Sequence, residues 1–153
     1  MTDRRGERGQ AITLNYAMGL GIGVILITGL LIAGGTFVNS QRKSAIQTEL
    51  RVIGQQTAAD IATADRLSQS TTDNSTVTME HSLPNTVAGG RYNIELVDSK
   101  DAYLILTTSN PDVRVRVDVV NSTDLKGTTI NGGSFRINQT ASGELELVSG
   151  GEN

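Results

Sequence analysis

From Gln10 to Gln41 no side chain carries a charge, and Tyr16 to Val38 is dominated by Leu, Ile, Val, Ala, Met and Gly. As an α-helix that stretch would extend roughly 34 Å at about 1.5 Å per residue, enough for a hydrocarbon core of about 30 Å. The pattern then changes. Beyond Val38 the chain turns polar but keeps apolar or small positions at steps of three and four: Ile46, Leu50, Ile53, Thr57, Ile61, Ala64 and Leu67. One helical stripe results, with Glu49, Arg51, Asp60, Asp65 and Arg66 on other faces. No proline occurs before Pro84, so span and stripe are predicted to form one helix ending near Ser68 to Ser70.

After a Ser, Thr, Asn and Asp-rich loop over Ser68 to Thr76, the period drops to two. Val77, Met79, His81 and Leu83 alternate with polar residues, as do Tyr92, Ile94 and Leu96; Ala102 to Leu106 is a continuous apolar run. Val113, Val115, Val117 and Val119 alternate with Arg114, Arg116 and Asp118, which places four valines on one strand face. Phe135 with Ile137, and Leu145 with Leu147, predict two shorter strands. Turn chemistry separates the runs at Gly89-Gly90, Asp98 to Asp101, Asn110-Pro111-Asp112, Asn131-Gly132-Gly133 and Ser142-Gly143. The predicted class is α+β: a long N-terminal helix, transmembrane and then amphipathic, packed on a small antiparallel β-sheet head of about six strands.

The apolar stretch carries Gly19, Gly21, Gly23, Gly29, Gly34 and Gly35. Each would weaken a helix in water by about 1 kcal/mol relative to alanine, but in lipid the unpaired backbone of an unwound segment is the worse alternative. At about 100° per residue, Gly19, Gly23 and Gly34 fall within a ~60° sector. Such a small-residue face lets a second helix approach closely, although glycine is also simply common in membrane helices. Arg4, Arg5 and Arg8 before the span balance Arg42, Lys43 and Arg51 after it. The positive-inside rule is therefore silent. A short leader, a large following domain and three Asn-x-Ser/Thr sequons at Asn74, Asn121 and Asn138, all beyond the span, favour a cytoplasmic N-terminus and an external head.

Other classes of function lose support from what the chain lacks. With no cysteine and one histidine, His81, the common zinc sites and cysteine–histidine pairs are unavailable. Glu144 with Glu146 reads as a solvated strand edge and Asp98 with Asp101 as turn chemistry. No catalytic residue, cofactor or metal site is expected, and the protein is expected not to be an enzyme. A net charge of −3 argues against nucleic acid as a partner. Gly19-x-Gly21-x-Gly23 lies inside the apolar run and follows no strand, so it is not a nucleotide fingerprint.

A short charged leader, then Arg8-Gly9-Gln10, then an uninterrupted apolar helix resembles the class III signal of type IV pilins. The resemblance covers roughly Arg4 to Val38. It implies a prepilin peptidase cut between Gly9 and Gln10 that leaves the apolar helix on the mature chain, whereas an ordinary secretory signal is cut after its apolar run. Many pilins place a glutamate five residues after the cut; here Leu14 and then Asn15 stand there, which is more similar to a minor or pilin-like archaeal subunit than to a major bacterial-type pilin. Ten arginines against three lysines, with frequent Asp, Thr and Val, resemble proteins of salt-loving archaea. The implied organisation is a leader over 1–9, a transmembrane helix over 10–38, an amphipathic stalk over 39–70 and an extracellular β-rich head over 71–153. The implied partners are membrane lipid, prepilin peptidase and other pilin-like subunits, in the cell membrane or a surface filament. The alternative is an uncleaved, membrane-anchored envelope protein whose β head binds a partner or sugar.

Overall fold

The computed structural model describes residues 4–70, 77–99 and 101–150, with side chains from residue 14 onward. Helix α1 runs Arg4–Ser70 and is followed by seven strands: β1 (Thr78–His81), β2 (Tyr92–Val97), β3 (Tyr103–Ser109), β4 (Asp112–Asp118), β5 (Thr128–Asn131), β6 (Phe135–Gln139) and β7 (Leu145–Ser149). By its contacts the chain divides into two units, Met1–Gln41 and Arg42–Asn153.

In the first unit α1 is a helix whose large apolar side chains are exposed, from 53% at Ile22 to 74% at Tyr16. An exposed apolar surface of this extent is compatible with a membrane anchor. Thr28 and Thr36 return their hydroxyls to the carbonyls of Val24 and Ile32, at 2.8 and 3.0 Å, so neither leaves a polar group seeking a partner.

In the second unit the stripe on α1 meets the strands. Ile46, Leu50, Ile53, Thr57, Ile61 and Ala64 are all buried, while Leu67, at the end of the stripe, is 45% exposed. Each fully buried Leu or Ile contributes about 1.5–3 kcal/mol relative to an exposed one. The strands form two antiparallel sheets instead of one, in the orders β4-β3-β2-β5 and β1-β6-β7. Tyr92, Ile94, Leu96, Leu104, Leu106, Val113, Val115 and Ile130 from the larger sheet share one core with Phe135, Ile137, Leu145 and Leu147 from the smaller. The two sheets are tied by a parallel bridge between Leu125 and Leu145, with Lys126 N–H donating to Leu145 O at 2.8 Å. The extra strand is β5, whose single buried apolar residue is Ile130.

The continuous apolar reading of β3 has a physical reason. Its inner residues Leu104 and Leu106 face the core, and Ile105 on the outer face is still only 6% exposed, lying between Arg116 and Glu95 on the neighbouring strands. Arg116 also stacks over the Tyr103 ring at 3.8 Å and donates to Asp118 at 3.0 Å. The outer face is thus covered by long polar side chains packed flat on the sheet.

Candidate functional site

The apolar part of α1 leaves these glycines open: a Cβ placed on Gly19, Gly23 or Gly34 would meet nothing within 4 Å. Asn15, Tyr16, Gly19 and Leu20 line a shallow notch on the same helix. Gly9 and Gln10 lie within the helical residues of α1, but their side chains fall outside the described residues. The segment is long and apolar enough to cross a membrane.

Gly54 marks a close approach of α1 to the strands. A Cβ there would sit 2.7 Å from Val117 Cγ2 and 2.8 Å from Leu106 Cδ1, so the helix backbone lies directly on the larger sheet. Further along, Asp65, only 5% exposed, reaches the segment before β5. Its Oδ1 accepts from Thr123 N–H at 2.7 Å, and its Oδ2 from Ser122 N–H at 3.1 Å and from Gln69 at 2.9 Å. Ser68 Oγ adds a contact to Thr123 Oγ1 at 3.1 Å. Burial alone would raise the Asp65 pKa, but the bonds from Thr123, Ser122 and Gln69 outweigh it and leave the carboxyl below its ordinary value.

His81 sits on β1 beside Gln56 and Asp60, which are one turn apart on α1. Its Nε2 is 3.1 Å from Gln56 Nε2 and 3.3 Å from Asp60 Oδ2. That Asp60 oxygen is buried without an aligned hydrogen bond. Burial pushes the Asp60 pKa up and His81 opposes the rise. The ring also lies 6.0 Å from that of Phe135. His81 therefore joins helix to sheet.

Of the two acidic pairs, Glu144 stands just before β7 and Glu146 on it, both half-buried. Glu146 on β7 bonds Lys126 at 2.7 Å, Glu144 accepts from Ser142 Oγ at 2.8 Å, and Asp101 O accepts from Ser99 in the turn before β3.

The sequons differ in setting. Asn121 lies in the half-buried segment that Asp65 holds, with its Nδ2 donating to Thr123 O at 2.8 Å. Asn138 is on β6, the central strand of its sheet, with Oδ1 buried and without a partner. Asn74 lies outside the described residues.

At one end of the head a cleft of about 480 Å³ opens where the β5–β6 turn meets the start of β2 and the end of β7. Its floor is Tyr92, 1% exposed. The Tyr92 hydroxyl donates to Pro84 O at 2.7 Å and accepts a hydrogen bond from Gly133 N–H, while burial raises its pKa. Gly132 N–H donates to Tyr92 O at 2.8 Å, and a Cβ on Gly132 would run into the Tyr92 ring. Gly133 has φ +120° and Asn85 Oδ1 against it, so both positions require glycine. The sequence pattern indicated a turn here and nothing more.

Residues 5–149 match a family of unknown function, DUF7266. The chain belongs to DUF7266. The match takes in the apolar segment and the head together, so this DUF7266 chain carries both as parts of one family unit. No curated protein and no solved structure matches it.

Proposed function

We propose that this chain is a pilin-like structural subunit of archaeal type, held in the membrane by the first part of α1 and able to join a type IV pilus-related surface assembly. The observation that carries the reading is the exposure of every large apolar side chain from Leu14 to Val38, on a helix whose first residues belong to a short charged leader ending in Gly9. Lipid solvates that surface in the isolated subunit. In a filament the helices of neighbouring subunits take over that role, with small residues allowing close approach. The head is external in this reading, and Asn121, Asn74 and Asn138 are its candidate glycan acceptors; Asn121 Nδ2 is engaged by Thr123 O, and Asn138 Oδ1 is buried.

The Gly19, Gly23 and Gly34 face is where the reading is tested. In the Gly19→Leu/Gly23→Leu variant, crosslinking between subunits in membranes is expected to fall about tenfold, the loss of roughly 1–2 kcal/mol of helix packing. The same changes strengthen the isolated helix by about 1 kcal/mol each, so weaker association cannot be ascribed to a melted span. Undiminished crosslinking, with insertion and head folding intact, would leave the glycines without a role in assembly.

A further inference from the structure

We propose that the cleft at the β5–β6 turn is a binding site for an acidic sugar, a ring bearing both hydroxyls and a carboxylate. The proposal does not depend on filament assembly, since the site lies wholly within the second unit.

The lining selects the ligand class. Asn93 and Asn131 are direct cross-strand partners on β2 and β5, so two amides stand side by side at the mouth of the cleft. Asn85 enters from the segment before β2. An amide both donates and accepts, which is what a hydroxyl needs from its neighbour. Among the described residues, the side chains of Asn93, Asn131 and Arg91 are engaged in no hydrogen bond or ion pair. Arg91 is the only charged residue among those described in the lining, and its guanidinium suits a carboxylate. Tyr92 has its ring covered by Gly132 and its hydroxyl engaged at both ends, so no aromatic face is offered to a nucleobase or other stacking ligand. The cleft volume falls in the range usual for small-molecule sites.

The site is also preorganised. Tyr92 ties the segment around Pro84 to the β5–β6 turn, and Gly150 N–H donates to Ser134 O at 2.7 Å, closing the β7 side. Little backbone ordering is left to occur on binding, which lowers the entropic cost. Outside the cleft the row of polar residues continues across the sheet from Asn131 and Asn93 to Thr107 and Arg114, in direct register. That row gives a longer chain of sugars somewhere to lie.

The test is a titration of the full chain in detergent micelles, read from the amide resonances of Gly133 and Ser134. The probes are methyl glucuronide, methyl glucoside and acetate. Methyl glucuronide is expected to shift both resonances saturably, with the glucoside and acetate each about tenfold weaker, as expected for loss of a charge-assisted bond or of the hydroxyl contacts. Arg91→Gln is expected to abolish the preference for glucuronide over glucoside, and Asn93→Ala to weaken both sugars. Arg91 and Asn93 are exposed, so both variants should keep the native amide spectrum elsewhere. Acetate binding as tightly as the glucuronide would reduce the site to an exposed arginine. An absence of saturable shifts, or affinities unchanged in both variants, would overturn the proposal.

Discussion

Gly54→Leu is expected to lower the thermal midpoint of the head by about 10 °C or more, a loss of roughly 3 kcal/mol or more, measured by near-UV circular dichroism of the detergent-solubilised chain. The reason lies in the 2.7 and 2.8 Å that separate a Cβ at this position from the methyls of Val117 and Leu106. Those methyls belong to adjacent strands of the larger sheet, Leu106 in the core and Val117 packed against it. A leucine adds three further carbons in the same direction and must lift α1 from the sheet. Gly54→Ala separates the contributions, since alanine gains about 1 kcal/mol in helix propensity against a clash with two movable methyls. It is expected to lie much closer to the native chain than Gly54→Leu. Equal stability of Gly54→Leu and the native chain would show that the helix does not depend on this close approach.

Asp65→Ala is expected to cost about 2–3 kcal/mol near neutral pH, because it removes the charged acceptor of two backbone N–H groups and one side-chain amide. The loss should be local first: the segment around Ser122 and Thr123 would lose its tie to α1, and its amide protons would exchange faster. The pH dependence has a definite sign. The folded pKa of Asp65 lies below its unfolded value of about 3.9, so its contribution is complete well above that value and is lost as pH falls through the folded one. The stability difference between the native chain and Asp65→Asn should therefore narrow steadily below about pH 4. A gap that is constant from pH 7 to pH 2.5 would mean that the carboxylate charge is not what holds the segment.

The long helix was legible because both of its halves obey one period: the apolar run, then the stripe from Ile46 to Ala64, with no proline to break them. Strands β2, β4, β6 and β7 were legible because Tyr92, Val113, Phe135 and Leu145 each begin a clean alternation. β5 was not, since Thr128, Thr129 and Asn131 surround a single buried Ile130 and the pairing with β2 supplies the order that the local pattern lacks. The division into two sheets depends on β1 pairing with β6, a contact between segments more than fifty residues apart, and periodicity carries no information on which strand pairs with which. Gly54 and Asp65 were hidden for a related reason. A glycine and an aspartate on a helix look like a weak helix former and a solvated charge until Val117 and Thr123 are brought to them. The cleft is the same case, because Asn131-Gly132-Gly133 specifies a turn locally, while Asn85, Arg91 and Gly150 arrive only with the fold.

The proposal of a pilin-like subunit rests most directly on the first residue of the chain as it is recovered from membranes. Mass spectrometry of that chain, from cells with an active prepilin peptidase, is expected to find Gln10 at the N-terminus, with Met1 to Gly9 removed and the apolar helix retained. A chain that still begins at Met1 or Thr2 under those conditions would contradict the pilin reading and leave an uncleaved membrane anchor in its place.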